Sequence, residues 1–181
     1  MTLSRRLILL RHAKSAWPAG VADIERPLNA RGRAAAPRIG AYLAAEGLVP
    51  DYVMVSPARR TLETWERLRG ALPAIVPETA PEIVPMIYEA SAHRTLDAVR
   101  SAPDSAETLL VIGHNPGFQD LALFLVGSGP ATLREDLHEK FPTAGLAVIA
   151  FAVEHWGDVG RGGGRLERFV TPRGLTEAEA R

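Results

Sequence analysis

Leu7-Ile8-Leu9-Leu10-Arg11-His12-Ala13-Lys14-Ser15 decides how the rest of the chain is read. Four large aliphatics in a row make a short strand, and the charged and small residues that follow mark its C-terminal end. The arrangement recurs twice further on. Tyr52–Val55 runs into Ser56-Pro57-Ala58-Arg59-Arg60-Thr61-Leu62-Glu63-Thr64, and Leu109–Ile112 runs into Gly113-His114-Asn115-Pro116-Gly117. Helical stretches lie between these strands, an alternation that predicts an α/β domain with a mostly parallel sheet. In such a sheet the three polar segments leave from one edge, where open α/β folds place their ligand crevice.

The intervening elements follow from caps and breakers. Asn29 caps a helix over about Ala30 to Glu46, and Gly47 stops it; Pro37 lies inside and is expected to kink it. A second helix covers Ala58–Leu68. The four prolines in residues 73–90 predict an irregular excursion, after which Ser91 caps a short helix to about Ser101. A helix over Gly117–Val126 follows the third strand. Gly145–Val153 and Leu166–Val170 read as late strands, antiparallel to one another and joined by a glycine-rich loop, and the last ten residues read as a frayed tail.

Composition narrows the function classes. The chain has 181 residues, the size of one domain, with 46% apolar and 23% charged residues, ordinary for a soluble globular protein. Its zero cysteines exclude a disulfide framework, a thiolate metal site and a cysteine nucleophile. The longest apolar run, Leu146 to Val153, is too short to span a bilayer, and Leu7–Leu10 is too short for a signal peptide core. A cytoplasmic protein is expected. Net charge is zero, so neither nucleic-acid nor membrane binding is implied. Residues 1–60 nevertheless carry 10 Lys/Arg against 4 Asp/Glu, which points to a local anion site. The glycines between Gly157 and Gly164 do not match a phosphate-cradling loop and no helix pattern follows them, so they read as a connector. Metal-binding motifs are absent, and neither a metal nor another cofactor is expected.

The one edge therefore gathers two arginines and two histidines, whereas His93, His138 and His155 lack this placement. Arginine presents a fork of donors that matches phosphate oxygens. A neutral imidazole nitrogen can attack phosphorus, and nearby cations keep it neutral. Its other ring nitrogen then donates to a fixed acceptor, such as a backbone carbonyl. Phosphoryl transfer through a phosphohistidine is the chemistry these residue types suit.

Arg11-His12 after a strand, the Ser56…Arg60…Thr64 spacing and the late Gly113-His114 resemble the histidine phosphatase superfamily, the phosphoglycerate-mutase-like enzymes. Arg11-His12-Ala13-Lys14-Ser15, Asp23 through Arg26-Pro27-Leu28, Arg31-Gly32, Gly113–Gly117 and Lys140-Phe141-Pro142-Thr143 resemble its SixA-type phosphohistidine phosphatases. The resemblance spans about residues 6–171. It implies a three-layer sandwich with a small or absent cap, one phosphatase domain over 1–172 and a tail over 173–181. It makes His12 the phosphorylated nucleophile, with Arg11, Arg60 and His114 completing the phosphate pocket and Ser15 and Asn115 at its rim. Arg60 rather than Arg59 fits, four residues after the serine and four before the threonine. Glu89 falls where a proton donor is expected, with Glu82 as competitor. Ala13-Lys14 stands where the mutase-like branch has Gly-Glu, which separates this chain from sugar-phosphate mutases. Arg60 and His114 are only 54 positions apart, too few for the helical cap that closes over small metabolites. The implied substrate is a phosphohistidine on a protein, such as a histidine phosphotransfer domain. The alternatives are a small-molecule phosphomonoesterase and a non-catalytic phosphate- or phosphopeptide-binding domain.

Overall fold

Strand β1 (Arg5–Arg11) lies inside a seven-stranded sheet, and its neighbours explain its sequence. The structure is a computed structural model and describes residues 5–73 and 80–179. The other strands are β2 (Tyr52–Val55), β3 (Glu82–Ile83), β4 (Thr108–Gly113), β5 (Val126–Ser128), β6 (Leu146–Phe151) and β7 (Gly164–Val170). Their spatial order is β3-β2-β4-β1-β6-β7-β5. β3, β2, β4 and β1 run parallel; β6 alone is reversed, and β7 and β5 run parallel to each other beyond it. The sheet is mostly parallel, as expected, and the late β6–β7 pair is antiparallel.

Both faces are covered, so the strands need no polar alternation. Leu7 and Leu9 pack on one side with Leu96 and Val99 of α3 (Ala92–Arg100), Phe118 and Leu121 of α4 (Gly117–Leu125) and Leu137 of α5 (Ala131–Glu139). Ile8 and Leu10 pack on the other side with Ile39 and Leu43 of α1 (Ala30–Ala45) and Trp65 and Leu68 of α2 (Arg59–Arg69). One run of four residues thus serves two cores, and the molecule is an α/β sandwich of three layers. No helix among the described residues is long and apolar enough to cross a membrane.

Helix α1 begins and ends as its sequence dictates. The Asn29 side chain accepts from Gly32 N–H at 2.9 Å. At the other end Gly47 takes φ +66°, and the Leu48 and Gly47 amides donate back to the Leu43 and Ala44 carbonyls. Pro37 lies inside the helix, which continues through it to Ala45.

Other expectations need correction. Val126 does not end α4 but opens β5, which pairs with β7. Helix α5 is absent from the sequence reading because only Leu137 in it is buried, leaving almost no apolar period to see. β7 starts at Gly164, two residues before the expected Leu166, because the end of the glycine run is already paired with Phe151. The excursion over 73–90 contains the edge strand β3 and a 3₁₀ turn at Pro85–Ile87, while residues 74–79 of it lie outside the described residues. The end expected to fray forms α6 (Pro172–Glu179), whose Leu175 packs against the α1/α2 core.

Candidate active site

Register places the histidines. β1 and β4 pair with Leu10 opposite Ile112 and Arg11 opposite Gly113, and His12 N–H donates to the Gly113 carbonyl at 3.0 Å. Ser56 N–H donates to Ile112 at 3.0 Å, so the ends of β1, β4 and β2 stand level. His12 and His114 leave from adjacent strands, and their ring centroids are 5.3 Å apart. Helix α2 starts directly after β2 and puts Arg60 in its first turn. One turn later the Thr64 hydroxyl accepts the Ala13 N–H at 3.0 Å, which gives the Ser56…Arg60…Thr64 spacing its physical reason.

Each ring is held by one nitrogen. His12 Nδ1 donates to the Ala13 carbonyl at 2.7 Å, leaving the Nε2 lone pair available. Burial is the main reason that His12 has its pKa lowered to about 4, opposed by the Ala13 hydrogen bond and helped by the charges of Arg60, Arg11 and Arg26. His114 is lowered to about 3, by burial first and then by His12 and Arg60. Its Nε2 lies 2.7 Å from Ser56 Oγ, and its Nδ1 accepts from Arg60 Nη2 at 3.4 Å. Both imidazoles are therefore neutral at pH 7.

Arg60 is 5% exposed, and Asp23 occupies the outer end of its guanidinium. Nη1 donates to the Asp23 carbonyl at 2.7 Å, and Nη2 to Asp23 Oδ2 at 3.0 Å. The same carboxylate accepts from Tyr88 at 2.7 Å and from Arg26 Nη1 at 2.8 Å. Partial burial raises the Asp23 pKa, but the bonds from Tyr88, Arg26 and Arg60 outweigh it and hold the carboxyl well below the usual range. Asp23 thus stays ionised. Burial and the hydrogen bond to Asp23 push Tyr88 up to about 12, so its hydroxyl remains a donor. Arg11 Nη1 donates to the Phe141 carbonyl at 2.9 Å, and burial lowers its pKa. The Nε atoms of Arg11 and Arg60 are buried and have no hydrogen-bond partner among the described residues. Leaving such a donor unpaired costs about 1–3 kcal/mol.

The structure brings His12, Arg11, Arg60 and His114 together, and turns Arg59 outward into an ion pair with Glu63 at 2.8 Å. Ser15 is buried and accepts from Arg26 Nη2 at 2.6 Å. Asn115, at the cis Asn115–Pro116 bond, donates to the Phe141 carbonyl at 3.1 Å and accepts from Gln119 N–H at 3.3 Å. Both side chains are engaged internally. Glu89 is exposed, follows Tyr88 and adopts φ +48°, a left-handed conformation that costs an ordinary residue roughly 1–2 kcal/mol. Its rival Glu82 lies opposite Met54 on the outer strand β3 and accepts from the Tyr52 hydroxyl. Asp23, Arg26, Tyr88 and Ser56 also belong to the cluster, although composition and periodicity gave none of them a role. Asp23, Arg26 and Ser56 stood in the family pattern, whereas Tyr88 carried no signal beyond its place before Glu89. Among the described residues no group of three or more His, Asp or Glu is placed to hold a metal ion.

Comparison with known proteins agrees with this geometry. Residues 7–122 match the model of the histidine phosphatase superfamily, branch 1. The uncharacterized protein Rv1276c of Mycobacterium tuberculosis is 37% identical over 166 residues, covering 91% of this chain and all of the relative. A structure from Agrobacterium tumefaciens described as a "putative phosphohistidine phosphatase SixA" superposes with a TM-score of 0.74 at 29% identity, covering 93% of this chain and 98% of that one. One from Nakamurella multipartita, described in the same terms, has a TM-score of 0.74 at 27% identity, covering 93% of this chain and 96% of that one. This chain belongs to the histidine phosphatase superfamily and is similar to the structures described as SixA phosphohistidine phosphatases.

Proposed function

We propose that the chain hydrolyses phosphohistidine on a protein by double displacement through His12. The observation that carries this is the His12 ring, with Nδ1 tied to the Ala13 carbonyl and Nε2 left as a neutral nucleophile beside Arg60 and His114. In the first step the Nε2 lone pair forms an N–P bond, and the bond from phosphorus to the leaving atom breaks with its electron pair. The leaving atom takes a proton, for which Glu89 is the proposed donor. Water then gives a proton to the Glu89 carboxylate as it attacks phosphorus, the N–P bond returns its pair to Nε2, and phosphate leaves. Arg11, Arg60 and His114 oppose the charge on the phosphoryl oxygens in both transition states. Binding of the dianion itself favours a proton on His114 Nδ1, which converts that atom from acceptor to donor.

Two features support a protein substrate. The resemblance to structures described as SixA phosphohistidine phosphatases is one. The other is openness: between α2 and β4 the described residues form only β3, a 3₁₀ turn and α3, and α3 is packed into the core. No lid is available among them to close over a metabolite.

Labelled phosphoryl groups should be trapped on the wild-type protein in acid-labile form and not on His12→Ala, with turnover falling by about 10,000-fold or more. Full turnover by that variant would refute the nucleophile. Competition between a phosphohistidine protein and sugar or glycerate phosphates tests the substrate. A tenfold or greater preference for any of these small esters would favour a phosphomonoesterase instead.

A further inference from the structure

The segment between Ser15 and Asp23 reads Ala16-Trp17-Pro18-Ala19-Gly20-Val21-Ala22, and it carries no charged or hydrogen-bonding side chain apart from the indole N–H. Residues 17–22 are all exposed. Soluble proteins rarely present a continuous apolar surface of this kind unless something covers it. Trp17 is 78% exposed, whereas the other two tryptophans, Trp65 and Trp156, are buried. Among the described residues the exposed large hydrophobics are Trp17, Val21 and Ile83. Ile83 pairs with Val55 on the outer strand β3, whereas Trp17 and Val21 share the segment before Asp23.

The tip is held at its base. Ala16 N–H donates to the Pro27 carbonyl at 2.8 Å, and Ser15 bridges Leu28. The Arg26 guanidinium stacks over the Trp17 ring, 3.1 Å from its centroid. That guanidinium is itself fixed by Ala16, Ser15 and Asp23. One face of the indole is therefore covered and the other is open. A rigid, half-covered aromatic of this sort is what anchors protein interfaces, because little side-chain freedom is lost when it is buried.

Position chooses the occupant. Asp23 follows Ala22 directly and bonds Arg60, so the tip stands beside the phosphate pocket. A phosphoryl group carried by a small ester reaches the pocket without covering the tip. One carried on a protein side chain brings its surroundings against it, and the cationic pocket draws the phosphorylated face inward. We propose that residues 17–22, with Trp17 as anchor, are a docking surface for the apolar surface around the phosphohistidine of a protein substrate. This rests on the reading that the substrate is such a protein.

The test compares a histidine-phosphorylated phosphotransfer domain with phosphoramidate, a small P–N substrate, on wild type, Trp17→Ala and Val21→Ser. Trp17→Ala should lower kcat/KM for the protein about 30-fold, mainly through KM, and leave phosphoramidate within about twofold. Val21→Ser should give a smaller loss of the same kind, and Trp17→Phe should recover most of it. Equal losses on both substrates would make Trp17 a support for Arg26 and overturn the proposal, as would no loss on either. Loss of self-association or of binding to anionic vesicles in Trp17→Ala, without substrate discrimination, would assign the tip to another occupant and also overturn it. A wild-type enzyme that prefers small phosphates tenfold refutes the substrate reading itself. That result needs no variant, so the two failures are distinguishable.

Discussion

The two sides of the sheet contribute to the site by different means. β2, β4 and β1 run the same way, so their C-terminal ends deliver Ser56, His114, Arg11 and His12 to one edge. β6 runs the other way and reaches that edge with its beginning, so it brings main chain instead. Arg11 N–H donates to Gly145, Ala144 N–H donates to the Arg11 and His12 carbonyls, and the Phe141 carbonyl receives both Arg11 and Asn115. One half supplies functional side chains, and the other fixes where they stand. The reversal of β6 is what brings its beginning, rather than its end, to that edge.

If this division holds, damage in the parallel half should appear in turnover and leave stability nearly intact. Arg60→Ala should cut kcat/KM by about 100–1,000-fold, the range for losing one preorganised donor, whereas its neighbour Arg59→Ala should stay within about twofold. Steady-state kinetics on phosphoramidate would decide it, and the reverse pattern would place the wrong arginine in the pocket. Asp23→Asn keeps the shape but removes the charge that orients Arg60. A roughly tenfold loss of kcat is expected, with the thermal midpoint little changed. Asn115→Ala cuts a tie between the halves, so it should reverse the pattern, lowering stability by about 1 kcal/mol in urea titration and kcat only a few-fold.

The subtlest expected effect concerns protons. His12 and His114 have lowered pKa values, so between about pH 6.5 and 4 the unfolded chain binds more protons than the native one. Their contribution to stability is complete above pH 6.5, declines as pH falls, and His12's share is gone below about pH 4. Urea midpoints across that range should fall less steeply for His12→Gln than for wild type. Nitrogen-15 spectra of the rings should show both histidines neutral at pH 5.5. His155, exposed beside Asp104 at 2.8 Å, has a raised pKa and should be protonated in the same sample.

What the sequence revealed follows from how local each signal was. The Leu7–Leu10 run and the Asn29 and Gly47 caps are readable because strand and cap are set by residues a few positions apart, while the choice of Arg60 over Arg59 came from the spacing in the family pattern. The Asp23–Tyr88 bond joins residues 65 positions apart and lies between a 3₁₀ turn and a proline-rich stretch, where no period exists. Ser15 and Asn115 were legible as neighbours of the site, but their engagement with Arg26 and Phe141 depends on distances that only packing sets. α5 escaped notice because a helix with one fully buried residue barely differs from a polar loop.

The Phe141 carbonyl has a consequence for how this enzyme tolerates change. Two side chains from β1 and the β4 loop converge on an oxygen that every amino acid possesses, so the chemical identity of residue 141 is free with respect to that contact. A mutational scan of residues 141–145 would report the packing of the buried Phe141 and Ala144 and register nothing of the electrostatic role. An ester in place of the amide between Phe141 and Pro142 weakens that carbonyl as an acceptor but opens the proline ring, so its effect is read against Pro142→Ala, which loses the ring and keeps the amide.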